Sequence, residues 1–249
     1  MSVPASTRPR GGILLEDEVR IPADVFDLAS FREWARSDDF PDRGRIDFLG
    51  GEIEVTMSPE NLGSHGSPKT AMVAALHAEI DARDLGQVWT DRARLSNEAA
   101  GLSVEPDIVV WSALESGRAT LIAKAGTAPG EGEYVEIEGS ADIVVEIVSD
   151  SSVGKDTVRL RERYHTAGVA EYWLVDARGT QLAFTLLEHT PEGYVAVAPT
   201  RSGFAHSTVL DRNVRLARRP ARLGLFRYTL EIRHSRRTGP ARKRSRRKP

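Results

Sequence analysis

In the segment ADIVVEIVSD, residues 141–150, alternate positions divide into two faces: Ile143, Val145 and Ile147 on one, Val144, Glu146 and Val148 on the other. The pattern predicts a strand deep in a sheet that nonetheless carries a carboxylate, Glu146, into the core. GGEIEVTMSP (50–59) alternates differently, with Ile53, Val55 and Met57 opposed to Glu52, Glu54 and Thr56, and predicts a half-buried strand ended by Pro59. QVWTDRARL (87–95) and SVEPDIVVW (103–111) each read as one strand, the second apolar enough to be central. YVEIEG (134–139), EYWLVDARG (171–179) and its hairpin partner QLAFTLLEH (181–189) continue the β series. YVAVAP (194–199), a segment near 209–217 and FRYTLEI (226–232) complete it.

Helical spacing occurs in three places. VFDLASFREWARS (25–37) offers Phe26, Leu28, Phe31 and Trp34 for an apolar face. Ser67-Pro68 predicts an N-cap and first-turn proline for a helix over about 69–84, with Met72, Leu76 and Ile80 on one side and Gly86 as the stop. A third helix is expected over about 154–167, with Leu160, Tyr164 and Ala167 inward and Gly168 closing it. Residues 112–133 are rich in Gly, Pro and small polar residues and read mostly as a surface excursion. The order predicts one α/β domain over 21–232, a central mixed sheet flanked by helices with additional C-terminal strands, preceded by a flexible lead-in at 1–20.

Composition narrows the function classes. The 249 residues are 40% hydrophobic and 28% charged, and cysteine is absent, which removes disulfides and thiolate metal sites. No apolar run approaches the roughly 20 residues of a membrane-spanning helix. No apolar segment follows the basic start, so a cytoplasmic protein without membrane association is expected. Nine of the 34 Lys and Arg, and none of the 36 Asp and Glu, fall in residues 233–249, leaving 25 bases against 36 acids in 1–232, a net of −11. Such a tail is expected to be disordered. Arg236, Arg237, Arg242, Lys243, Arg244, Arg246, Arg247 and Lys248 are its candidate contacts to a nucleic-acid backbone. The plainer alternative is a solvated tail lying on its own acidic body.

Two predicted central strands carry an acid where apolar residues are expected: Asp107 before Ile-Val-Val, and Glu146. If those strands are neighbours, the carboxylates meet at one end of the sheet, and Glu52 could join them. Carboxylates are the hard oxygen ligands favoured by Mg²⁺ or Mn²⁺. Each acid taken alone is more often found at a sheet edge or in a structural ion pair. No phosphate-cradling P-loop spacing and no nucleophile elbow is evident.

The succession GGEIEVTMSP followed by a histidine, EPDIVVW, ADIVVEIVSDSSVGKD and RYHTAGVAEYWLVDARG resembles the Uma-two family of restriction-endonuclease-like proteins, within the PD-(D/E)XK nuclease superfamily. The resemblance covers about residues 20–200. It implies a restriction-endonuclease-like fold and Mg²⁺-dependent (or Mn²⁺-dependent) phosphodiester hydrolysis on DNA. Pro106-Asp107 matches the family's PD, Glu146 its second acid, Glu52 the glutamate of the early Gly-Glu strand, and His65 the histidine that follows. The superfamily's lysine, two residues past the second acid, is Val148 here. Family members commonly move it into the next helix between the residues matching Asp156 and Tyr164, where this chain has Leu160. Lys155 is the candidate replacement, four residues from Arg159 and on the same helical face. The competing reading takes both as exposed charges and the chain as a catalytically impaired DNA-binding or accessory protein. Cutting both strands often needs two sites, which would suit a homodimer.

Overall fold

The structure, a computed structural model, describes residues 12–14, 19–112, 118–127 and 133–235. Two short strands, β1 (Gly12–Leu14) and β2 (Arg20–Pro22), pair antiparallel ahead of the first helix, α1 (Leu28–Ala35). Asp27 caps α1, its carboxylate accepting from Ser30 N while the Ser30 hydroxyl receives the Asp27 N–H. Phe31 and Trp34 of α1 pack on Ile46 and Phe48 of β3 (Arg45–Leu49), a strand that the sequence reading omitted. Gly50 and Gly51, both with positive φ, turn β3 back into β4 (Glu52–Thr56); residues bearing a Cβ rarely adopt that backbone.

The two strands expected at 87–95 and 103–111 are each broken in two. The first becomes β5 (Gly86–Thr90) and β6 (Arg94–Asn97), the second β7 (Leu102–Val104) and β8 (Ile108–Ser112). Their halves enter different sheets: β6 pairs with β7, and β5 with β8. The corners are chemically marked. Asp91 and Arg92 take positive φ, and Pro106 has no N–H for a ladder, so neither segment runs on straight. The excursion expected at 112–133 contains a strand, β9 (Ala119–Ala123), which pairs antiparallel with β10 (Tyr134–Gly139).

The central sheet is completed by β11 (Ile143–Ile147), β12 (Glu171–Asp176), β13 (Ala183–Thr190) and β14 (Gly193–Ala196), in the order β14-β13-β12-β11-β8-β5. β11 and β12 are parallel, and the other pairs antiparallel. A second sheet, β4-β3-β7-β6-β10-β9, is mixed as well. This is the mixed α/β architecture the sequence predicts. The C-terminal strands form a third sheet of β15 (Ala205–Ser207), β16 (Arg212–Pro220) and β17 (Phe226–His234). β17 runs through His234, two residues into the segment assigned to the tail; the eight basic residues from Arg236 to Lys248 lie outside the described residues.

The helix α2 (Ser67–Asp81) starts earlier than its proline suggests. A π-helical turn at Leu62–Gly66 leads into it, and Asn61 Oδ1 caps that turn by accepting from Gly63 N and Ser64 N, so the cap is Asn61 and not Ser67. Likewise a π-helical turn at Lys155–Arg159 precedes α3 (Leu160–Thr166). Met72, Leu76 and Ile80 of α2 pack with Ile143, Val145 and Ile147 on one side of β11. Leu160 and Tyr164 of α3 pack with Val144 on the other. Two-sided burial of β11 is what makes Glu146 expensive to place there.

Candidate active site

β8 and β11 run antiparallel with Val145 opposite Ile108. One further step in that register sets Asp107 opposite Glu146, on the face shared by Val144 and Val109. The pair is stitched through the backbone: Ile147 N donates to Asp107 Oδ2 at 2.7 Å, and Asp107 N to Glu146 Oε2 at 3.4 Å. Both carboxylates are almost wholly buried. Asp107 lines a cleft of about 860 Å³ at the corner where the strands change sheets, together with His65, Arg45, Lys155 and Asp156. Glu146 is not part of the lining and reaches the cleft residues only through its contacts to Asp107 N and Arg45.

Cations answer these acids from three elements. Arg45, at the start of β3, lies 3.4 Å from Glu146 Oε2, 3.7 Å from Asp107 Oδ1 and 3.3 Å from Asp47 Oδ2. Lys69, one turn beyond His65 on the run into α2, places Nζ 3.4 Å from Asp107 Oδ1 while pairing with Glu60 at 2.9 Å and Asp91 at 2.7 Å. His65 is buried, its Nε2 3.2 Å from Asp107 Oδ2. Its Nδ1 is 3.0 Å from Glu60 Oε2 but is not aligned for a hydrogen bond. Glu60, His65 and Asp107 thus bring one ligand atom each within 4.8 Å of one another. Asp107 Oδ1 is buried and accepts no hydrogen bond from the protein. A carboxylate oxygen free of hydrogen bonds and a second carboxylate offer the oxygen ligands that a hard divalent cation takes, and the imidazole adds a nitrogen ligand of the kind that borderline metals prefer.

The other expected site residues fall around this centre at different distances. The Tyr164 hydroxyl donates to Glu146 Oε1 at 2.7 Å. Asp156 lines the cleft and accepts from Ser152 Oγ, while its main-chain carbonyl receives the Tyr172 hydroxyl. Lys155 also lines the cleft, but its Nζ pairs with Asp47 and, at 3.4 Å, Glu54, rather than with Asp107 or Glu146. Glu52 is not brought to the cleft: its side chain is 73% exposed and pairs with Arg159 at 3.2 Å. Glu54, two residues on and on the same face of β4, lines the cleft instead. Leu160, where the family resemblance places a lysine, is fully buried among Tyr164, Tyr172 and Val144.

Sequence reasoning missed Arg45, Lys69 and Glu60. The i, i+4 spacing of His65 and Lys69 was the available signal, since one turn of helix superposes them. Arg45 had no such signal, because β3 itself went unread.

The ionisation of the two acids splits. Burial opposes the charge on Asp107, yet the His65 hydrogen bond and the charges of Arg45 and Lys69 hold its carboxyl well below the usual range. Burial pushes Glu146 up to about 8; Arg45 pulls against this, while Asp107 and Asp156 add to it. Asp156 is raised to about 6, first by burial. Like carboxylates in one site divide protons in this way. A consequence concerns stability without metal. Between the ordinary value of 4.5 and about 8, the folded state holds a proton on Glu146 that the unfolded chain releases, so stability falls as pH rises through that window. Glu146→Gln removes that fall, so its melting temperature should gain on wild type from pH 4.5 to 8 in chelator. Parallel melting curves across that range would refute the assignment.

The mixed α/β fold thus sets buried carboxylates from the adjacent strands β8 and β11 together, one of them on the wall of the cleft. The Uma2 family, described as "Putative restriction endonuclease", matches residues 28–210, and the chain belongs to it. Among solved structures, it is similar to one described as a putative nuclease belonging to DUF820 from Anabaena variabilis ATCC 29413. The two share 16% identity and a TM-score of 0.45, over 63% of this chain and 82% of that one. Among curated proteins, none matches.

Proposed function

We propose that the protein is a divalent-metal-dependent endonuclease that hydrolyses phosphodiester bonds in DNA. The observation that carries this reading is the pairing of Asp107 with Glu146 across β8 and β11, with Asp107 Oδ1 buried and without a hydrogen bond. Asp107 and Glu146, with His65 and Glu60 beside them, would hold Mg²⁺ or Mn²⁺. Such an ion, when bound, polarises phosphoryl oxygens and supplies a water of lowered pKa. The chain's own groups set the stage for it. Tyr164 orients Glu146 through Oε1, and Ile147 N fixes the Asp107 carboxylate. Arg45 and Lys69 offset negative charge at Asp107, the part that the absent lysine would otherwise share. Lys155, on the cleft wall, would meet a phosphate oxygen or a water on leaving Asp47. The −11 body disfavours approach of DNA, and the +9 segment at 233–249 offsets that repulsion.

One observation favours a second reading. Arg45 contacts Asp47, Asp107 and Glu146 together, so the buried acids are already compensated from within. With Leu160 in the lysine position, the same fold could bind DNA without turnover. Plasmid nicking separates the two. The endonuclease reading expects wild type to nick supercoiled DNA in Mn²⁺ or Mg²⁺ and not in chelator, Glu146→Ala to be inactive, and Lys155→Ala to be slowed. No turnover with either metal, together with DNA binding that survives Asp107→Ala, would establish the binding module instead.

A further inference from the structure

The hairpin of β16 and β17 lies beyond the stretch matched to the family, which ends at residue 210. From Arg212 to Leu230 it contains six arginines and no acid, within an otherwise acidic body. Three of the six are accounted for. Arg212 pairs with Glu79 at 2.8 Å, Arg215 pairs with Glu231, and Arg218 donates to Gly179 O at 3.0 Å while lying over the Phe226 ring. Arg219, Arg222 and Arg227 are exposed, and their guanidinium groups have no ion-pair or hydrogen-bond partner among the described residues. Arg219 and Arg227 are direct cross-strand partners in the register.

Like charges directly opposite each other on a sheet destabilise it. The hairpin has no need of that arrangement for packing, because its core contacts come from the other face through Leu216, Tyr228 and Leu230. Two opposed guanidinium groups with no acid beside them, and a third at the turn, form a concentrated positive field awaiting a polyanion. The tip also carries exposed apolar surface, with Leu223 94% exposed and Phe226 39%.

Position decides which polyanion. Leu225 packs against the turn that bears His65: a Cβ on Gly63 would lie 3.7 Å from Leu225 Cδ2. An open groove of about 1140 Å³ separates the tip from the start of α2 and is lined by Leu62, Thr70, Arg219, Arg222 and Arg227. The groove and the acid cleft meet at the Leu62–Gly66 turn, whose Leu62 and Gly66 line the groove and whose Ser64 and His65 line the cleft. We infer that the β16–β17 hairpin is a DNA-binding arm, with Arg219, Arg222 and Arg227 holding the phosphate backbone of a duplex next to the Asp107 cleft. The inference rests on the endonuclease reading for its choice of DNA over another polyanion. Arginine suits the task because its planar fork meets two phosphate oxygens at once.

The test uses the full chain and a short fluorescent DNA duplex in chelator, so that binding is read without cleavage. Each phosphate contact contributes about 0.9 to the slope of log affinity against log salt. Replacing Arg219, Arg222 and Arg227 together by alanine should therefore flatten the slope by about 2.7. The melting temperature should hold or rise as the cross-strand repulsion is relieved. The triple lysine variant should keep most of the slope. An unchanged slope in the alanine variant overturns the arm, and so does equal competition by a polyglutamate peptide of matched charge. If that variant binds like wild type and wild type still nicks DNA, the arm falls and the endonuclease reading stands. If binding depends on the arm but no metal supports nicking, the arm stands and the endonuclease reading falls. Wild type that binds no duplex in chelator overturns the arm, and wild type that in addition nicks no DNA with either metal overturns both.

Discussion

Replacing Asp107 by asparagine is expected to lower metal-dependent cleavage by about a thousandfold while leaving the protein folded. The size follows from what meets at this side chain. His65, Lys69 and Arg45 all direct positive or proton-bearing groups at one carboxylate. A metal-centred site commonly derives several kcal/mol of transition-state stabilisation from its charge, and about 4 kcal/mol corresponds to a factor of a thousand. Asparagine keeps an oxygen for the Ile147 N–H, so the stitch between β8 and β11 survives with the amide suitably turned. It loses the negative charge, and with it the basis for metal affinity. Three cationic or proton-bearing neighbours are then left around a neutral amide, which should repel a divalent ion further. Single-turnover cleavage at saturating Mn²⁺, with thermal melting as the control, reads both halves. Cleavage within tenfold of wild type would remove Asp107 from the centre of the chemistry. Collapse of the fold would show that the residue is structural first.

The parts of this site that could be read from sequence were those with an alternation to violate. Glu146 stood out because five Ile and Val residues surround it, and a strand period then assigns it to one face. Asp107 stood out through its own apolar strand. Their adjacency could not be read, since nothing local in either segment reports which strands become neighbours; β8 and β11 are joined only after β9 and β10 have visited the other sheet. The corners at Asp91-Arg92 and Pro106 were misread for a related reason. Each looked like the middle of one strand, because hydrophobic alternation continues across a bend when both halves are buried. It is those bends that carry Asp91, Glu105 and Asp107 to a common cleft. Glu52 illustrates the opposite error. It has the correct parity, but in a strand parity places a residue on a face and leaves its distance along the strand open. Two residues farther on, Glu54 meets Lys155 and Arg159.

The largest loss of stability outside the cleft is expected at Glu171→Ala, about 3–5 kcal/mol, from three buried neutral donors left unpaired at roughly 1–3 kcal/mol each. Glu171 opens β12 and is almost wholly buried. Its carboxylate accepts from Trp173 Nε1 at 2.9 Å, Ser207 Oγ at 2.8 Å and Val209 N at 3.0 Å. Ser207 Oγ in turn accepts from Leu210 N at 3.1 Å, so one side chain ties the central sheet to the entrance of the C-terminal sheet. Alanine leaves three donors facing a void, each worth roughly 1–3 kcal/mol when buried and unpaired, from which the saved cost of burying the carboxylate must be subtracted. At about 2–4 °C per kcal/mol for a chain of this size, the melting temperature should drop by roughly 10 °C. Glutamine, which keeps one acceptor oxygen, should recover part of the loss. The effect should also be regional: amide exchange in β15 and β16 should rise before that in β11, because the third sheet loses its tether while the central strands keep their ladder. Uniform loss of protection across all three sheets would mean that Glu171 holds the whole domain together rather than this joint, and a shift under about 2 °C would mean that water replaces it at little cost.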